Sequence, residues 1–264
     1  MRAMLTSQLA SLTIQIGDHD SGRANAERAL DVMDSLGAVE DTLQLKSSLA
    51  LLDIQAGRLD EAERLLAETA ADERGEFVLG SNLVLLSGMA ELALARGDVP
   101  LGLRLYREAV VALRELSFPG MEMPVGFAPW ILYPEAGAVA AHARHGARSD
   151  IRAMRDDLAT KGGALIGGRE DLDYPVTGAV LYALAVWELT GRREAEAWQR
   201  GVRLLMTAER FAYNRMLPSL SWAYAADLAE GRCPGLAAVV RAELAALPAS
   251  GLRDAAHRLV AELG

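Results

Sequence analysis

Apolar residues in the first half of the chain recur at intervals of three and four, the spacing that gathers side chains on one face of an α-helix. Leu5, Leu9, Leu12 and Ile16 form one such series, interrupted by Ser7, Gln8, Ser11, Thr13 and Gln15. Ala26, Ala29, Leu30 and Met33 share a face of a second helix predicted from about Asp20 to Leu36. Leu45, Leu49, Leu52 and Ala56 make a third series, and Leu59, Ala62, Leu65, Leu66 and Thr69 a fourth. A fifth and a sixth follow as Leu79, Leu83, Leu86, Ala90, Ala93 and Leu101, Leu105, Ala109, Ala112, Leu116. A glycine parts the two helices of each pair, at Gly17, Gly57 and Gly97, and Gly37 stands in the usual place for a helix C-cap.

The three turn glycines are 40 residues apart, and the positions around them agree. Eight and seven residues before them stand Leu9 and Ala10, Leu49 and Ala50, Met89 and Ala90; five after stand Gly22, Ala62 and Gly102; twelve after stand Ala29, Thr69 and Ala109. Small residues at fixed places let two helices approach closely, so the pattern predicts helical hairpins stacked by repetition. Asp98 is placed to cap the sixth helix, with Pro100 in its first turn, where a missing N–H is tolerated.

After Leu116 the regularity breaks. Ser117–Pro129, SFPGMEMPVGFAP, holds three prolines and two glycines and reads as a loop. A fourth hairpin is expected from Trp130–His145, a turn at Gly146 and a helix over about Ser149–Thr160. Lys161–Tyr174, KGGALIGGREDLDY, reads as a second insertion. Gly191 and Gly231, again 40 apart, mark the fifth and sixth hairpins. Between them Ala197, Leu204, Leu205, Ala208 and Phe211 share a helix face, and Pro218 begins the next helix. The most apolar run, Val176–Trp187, is too short to span a bilayer and reads as a buried helix. Leu252, Ala256, Leu259 and Leu263 suit a terminal capping helix. The expected fold is all-α: a right-handed solenoid of about six helical hairpins, with a C-terminal capping helix. It is expected to be a single domain over 1–264, regular over 1–117, less regular over 128–264, with insertions at 117–129 and 161–174.

Charge narrows the function. The 264 residues carry a formal net charge of −9, with 27 basic residues interspersed among 36 acidic ones. Only Lys46 and Lys161 are lysines. A sequence-independent grip on nucleic acid needs clustered basic residues to displace counterions, so direct nucleic-acid binding is not expected. The single cysteine, Cys233, cannot form an internal disulfide, which fits a reducing cytoplasm. The N-terminal run keeps the repeat's register and is broken by polar residues, so it reads as structure rather than as a signal peptide.

Candidate chemistry is sparse. Gly162, Gly163, Gly167 and Gly168 lack the preceding strand and following lysine of a phosphate cradle and read as a flexible connector. His142 and His145 are three apart, yet no cysteine or carboxylate stands at ligand spacing, so a surface or helix-end role is expected and no metal. Cys233 follows a turn glycine at an expected helix start, where the helix dipole lowers a thiol pKa, but no partner histidine can be assigned. Asp156 and Asp157, like Glu170 and Asp171, are sequence neighbours that do not converge on one helix face. No enzymatic activity and no cofactor are expected.

A small residue before the turn, another five after it, an aromatic nine after it (Tyr106) and alanine twelve after it resemble the tetratricopeptide repeat. The period of 40 in place of about 34 implies helices longer by roughly a turn. More specifically, GDVPLGLRLYREAVVALRELSFPG (Gly97–Gly120), followed by AAHARHG (Ala140–Gly146), resembles the C-terminal helical-repeat arm of actinobacterial transcriptional regulators of the antibiotic-regulatory-protein type and the large ATP-binding LuxR type. That resemblance implies a sensing or protein-contact module joined to a DNA-binding domain, and often to a nucleotide-binding switch domain. This sequence contains neither a basic recognition helix nor a GxxxxGK[ST] segment, so neither activity is expected from its own residues.

In stacked hairpins the first helices line a concave surface, and the register points Ser47, Ser87, Glu91, Tyr133 and Glu188 towards it. Trp130, Phe118 and Phe127 lie in or beside the long loop. Aromatic rings and a few polar groups in a concavity suit a peptide or small-molecule ligand; the alternative for Trp130 and Tyr133 is packing within the irregular fourth hairpin. The expected function is a non-catalytic protein- or effector-binding sensor or scaffold module of a bacterial transcriptional regulator, in the cytoplasm. Its expected partners are another protein, other domains of the same regulator, a peptide or small effector, or a second copy, and neither nucleic acid nor a membrane. The alternative is a structural oligomerisation arm with no groove ligand.

Overall fold

A computed structural model describes residues 2–72, 79–115, 131–168, 172, 174–191 and 194–263, with side chains from residue 5 in the first stretch and from residue 84 in the second. Over these residues the chain is all-helical, and no strand occurs among them. No helix among them is long and apolar enough to cross a membrane. The chain forms two compact units, the first comprising Met1–Leu113 with Arg215–Pro218, the second Arg114–Asn214 with Ser219–Gly264.

The first unit contains α1 (Arg2–Gln15), α2 (His19–Ser35), α3 (Val39–Gln55), α4 (Leu59–Ala70), α5 (Leu79–Ala95) and, as far as Leu113, α6 (Val99–Glu115). The reversals at Gly17, Gly57 and Gly97 share one construction. Each glycine has a positive φ, between 75° and 87°, a region that side-chain-bearing residues rarely enter. The glycine N–H donates three residues back and the next N–H five back, as in Gly57 to Ile54 and Arg58 to Asp53. This pairing closes a helix end and satisfies its last carbonyls. Asp98 accepts from the N–H of Leu101 at 3.1 Å, the cap its position predicts.

The small residues of the 40-residue register are where the helices touch. Ala10, Ala50 and Ala90 are fully buried, as are Ala62 and Ala29, while Thr69 and Ala109 are nearly so. A Cβ on Gly22 would lie 2.6 Å from Ile14 Cγ1, and one on Gly102 would lie 2.6 Å from Leu94 Cγ, so no larger residue fits at either crossing. Because α3 packs against α1, α2, α4 and α5, its residues from Leu45 to Ile54 are buried on nearly every side, Lys46 excepted. The buried carboxylate of Asp53 accepts from Arg58 Nε at 2.6 Å and pairs also with Arg23. Residues 215–218 complete this unit: Arg215 N–H donates to the Gln15 carbonyl at 2.9 Å, and Gln55 Nε2 donates to the Met216 carbonyl at 2.8 Å.

The second unit contains α7 (Leu132–Arg144), a 3-10 turn (Arg148–Ile151), α8 (Arg152–Gly167), α9 (Tyr174–Thr190), α10 (Ala195–Arg210), α11 (Trp222–Arg232), α12 (Leu236–Ala245) and α13 (Ala249–Ala261). Its centre is α9, buried without interruption from Thr177 to Leu189 and enclosed by α7, α8, α10 and α11. This is the apolar run that the sequence assigns to a buried helix. Beside it lies a buried ionic cluster: Glu135 of α7, fully enclosed, meets Arg114 Nη2 at 2.7 Å and Lys161 Nζ at 3.5 Å, and both cations also bind Asp157.

Several expectations are corrected here. Lys161–Gly167 is no connector: α8 runs through it, and its glycines mark close crossings. A Cβ on Gly162 would meet Val180 Cγ1 at 2.7 Å, and one on Gly167 would meet His257 Nε2 at 2.9 Å. Gly231 lies inside α11; the left-handed residue is Gly235, with φ of 75°, which opens α12. His142 is fully buried on α7, its Nδ1 2.8 Å from the Ala138 carbonyl, while His145 does end that helix. Cys233 caps the C-terminal end of α11 instead of starting a helix, and burial pushes its thiol up rather than down. The terminal helix α13 packs chiefly on α8 and also on α10. Ser117–Pro129 lies outside the described residues.

Candidate functional site

The residues expected to line an open groove are enclosed where the structure describes them. Ser47 on α3, Ser87 and Glu91 on α5, Tyr133 on α7 and Glu188 on α9 are all buried. Glu91 accepts from Tyr106 Oη at 2.5 Å, and Tyr133 Oη donates to Asn214 Oδ1 at 3.1 Å. Ser47 Oγ has no hydrogen-bond partner. The difference has a plain cause: α3 and α9 are packed among several helices, so Ser47 and Glu188 meet neighbours instead of open solvent. Trp130, Phe118 and Phe127 lie outside the described residues.

Glu188 leads to the most distinctive site. It lies near the C-terminal end of α9 and accepts from Arg200 Nε at 3.0 Å. It borders a cleft of about 650 Å³ whose walls include Gly146, Arg148, Arg152, Gly191 and Arg200. The reversal at Gly146 (φ 76°) turns the chain from α7 into the 3-10 turn, which aims Arg148 at the end of α9. There its guanidinium carbon lies over the Trp187 ring, 4.3 Å from the centroid. Gly191 makes room for it: a Cβ at that position would lie 2.8 Å from Arg148 Nη1.

The cleft carries an excess of one positive charge, with Arg148, Arg152 and Arg200 set against Glu188 and Glu194. Arg200 is engaged by Glu188, and Arg155, behind the cleft, reaches Glu188 at 3.8 Å and Asp156 at 2.9 Å. Arg148 and Arg152 form no ion pair among the described residues, and Arg148 Nε is buried without a hydrogen-bond partner. Burial is the largest influence on Arg148 and holds its pKa below the ordinary arginine range; Glu188 opposes this, and Arg152 and Arg155 reinforce it. Such a cation is stabilised by an incoming anion. A second cleft of about 570 Å³, between α10, α12 and α13, sets Arg200, Arg203 and Arg258 against Glu196, Glu243 and Glu262 and so carries no such excess.

Chemically the arginine cleft suits recognition. A guanidinium fork fits carboxylate or phosphate oxygens in pairs, and contact with the Trp187 ring restrains that of Arg148. No group of three or more histidine, cysteine or acidic side chains placed to hold a metal occurs among the described residues. Sequence reading reached Glu188 but missed Arg148, Arg152, Trp187 and Arg200. The available signal was the basic spacing of Arg148, Arg152 and Arg155, which one helix-start segment brings to one side. The sequence matches no protein-family model and no curated protein.

Proposed function

We propose that this chain is a non-catalytic, cytoplasmic effector-binding module of a bacterial transcriptional regulator, built as a tetratricopeptide-like stack of about six helical hairpins. In this reading its cleft at Arg148 and Arg152 takes a small anionic effector bearing carboxylate or phosphate groups. The regulator's DNA-binding activity belongs to residues other than these, and occupancy of the cleft is the signal the module passes on. One observation carries the reading: a partly buried, ring-stacked Arg148 that forms no ion pair among the described residues, in a chain whose net charge is −9. A desolvated cation of this kind lowers stability unless a ligand neutralises it, which marks it as a recognition feature.

Isothermal titration with inorganic pyrophosphate and with citrate tests it. The native chain binds at least one of them, with affinity that falls as salt rises, and Arg148→Gln with Arg152→Gln weakens binding by about tenfold or more, equivalent to ~1.4 kcal/mol. No binding of either anion, or equal binding by the double variant, rejects the cleft as the effector site.

A further inference from the structure

Glu188 is a carboxylate shared by two arginines, and it serves them unequally. Its side chain is only 8% exposed. Oε2 takes both bonds from Arg200, from Nε at 3.0 Å and from Nη2 at 2.5 Å. Oε1 lies 3.8 Å from Arg155 Nη2, an ionic contact too long for a hydrogen bond. Arg200 lines the cleft, and Arg155 does not.

This arrangement leaves Arg155 incomplete. The residue is 9% exposed, and its Nη1 donates to Asp156 Oδ1 at 2.9 Å and to the Leu263 carbonyl at 3.2 Å. Its Nε, however, is buried without a hydrogen-bond partner. A buried donor with no acceptor is unfavourable, so a carboxylate nearby has a second place to go. What draws Glu188 away is Arg200, which offers it two charge-assisted bonds. An anion seated at Arg148 and Arg152 shifts that balance in two ways. It sets a like charge beside Glu188, and it gives Arg200 another acceptor.

We infer that Glu188 is both the competitor and the switch of the cleft: it holds Arg200 until an anion takes its place, then passes to Arg155. The trigger rests on the anion-binding reading of the cleft, whereas the movement itself does not. Because Arg155 also holds the Leu263 carbonyl, the movement reaches from the cleft to the residue chain that follows α13.

Two variants of the full chain separate the movement from its trigger. Arg200→Gln removes the guanidinium that retains Glu188, with no ligand involved, and Arg155 remains to pair the carboxylate. In 1H–15N spectra the Arg155 Nε–H, assigned by its loss in Arg155→Lys, then shifts downfield and exchanges with water about tenfold more slowly than in the native chain. An unchanged Arg155 signal overturns the inference, whatever the cleft binds. Glu188→Gln removes the competitor and binds pyrophosphate or citrate about tenfold more tightly than the native chain does. Equal or weaker binding by Glu188→Gln, with the native chain binding, overturns the inference and leaves the cleft standing. Absence of binding in both chains overturns the trigger together with the cleft.

Discussion

Arg148 lies over Trp187 with its guanidinium carbon 4.3 Å from the ring centroid, held there by a glycine that leaves room for its nitrogens. Stacking and a planar fork are properties that lysine lacks. Arg148→Lys keeps the charge but is expected to weaken anion binding by about tenfold. It should also lower stability by about 0.5–1 kcal/mol, the worth of an exposed cation–π contact. Titration calorimetry and urea unfolding of the same variant check the two effects separately.

Glu135 gives the fold a pH dependence of known sign. Burial is the largest influence and raises its pKa above the ordinary 4.5; Arg114 and Lys161 oppose the rise and Asp157 adds to it. A carboxyl with a raised folded pKa holds its proton longer in the native state than in the unfolded one. Its contribution is therefore fully present below pH 4.5 and is lost as pH climbs through the folded pKa. Urea midpoints measured from pH 4 upward should show this loss in the native chain, and Glu135→Gln should remove that component of the slope.

Asp53 predicts an asymmetry between the two sides of an ion pair. Its carboxylate is buried, whereas Arg23 and Arg58 keep 29% and 50% of their side-chain surface exposed. Arg23→Ala with Arg58→Ala strands a buried charge and should cost about 3–5 kcal/mol. Asp53→Asn leaves two hydrated cations and should cost about 1–2 kcal/mol. Chemical denaturation of both variants decides the order, and a larger loss for Asp53→Asn would contradict it.

The register itself is open to mutation. Gly102→Ala and Ala50→Leu push atoms into closed helix crossings and should each destabilise by about 1–3 kcal/mol. Gly97→Ala meets no neighbouring atom but must hold a φ of 84°, at about 1–2 kcal/mol. Double substitution should be close to additive for Gly97 and Ala50.

Gln55 ties residues 215–218 into the first unit through the Met216 carbonyl. Gln55→Ala should cost about 0.5–1.5 kcal/mol and speed tryptic cleavage after Arg215, followed by mass spectrometry. An unchanged cleavage rate would mean that the Arg215 bond to Gln15 suffices.

How far the chain can be read without coordinates differs between its two halves, for physical reasons. In the first, each hairpin repeats the same local problem, so a glycine that must adopt positive φ and an alanine that must fit a crossing recur at one interval. Gly17, Gly57, Gly97 and Ala10, Ala50, Ala90 are set by neighbours close in sequence. In the second, contacts come from far away. Gly162 and Gly167 look like a connector because Val180 and His257, the side chains that need their missing Cβ atoms, stand elsewhere in the sequence. Gly231 keeps the 40-residue interval by count alone, while Gly235 makes the turn. The candidate site followed the same rule. Glu188 carried a signal through the repeat register, but Arg148 gains meaning only when a 3-10 turn sets it on Trp187.

The short segment at 215–218 bears on how the protein is made. Gln55 and Met216 bond across 161 positions of chain, whereas the hairpins around Gln55 close over a few dozen. On the ribosome the helices of the first unit can therefore form and stack early, with the place for Arg215 and Met216 still vacant. That vacancy lasts until Arg114–Asn214 of the second unit have been made, so the last stitch in the older unit is drawn by residues synthesised long after the rest of it.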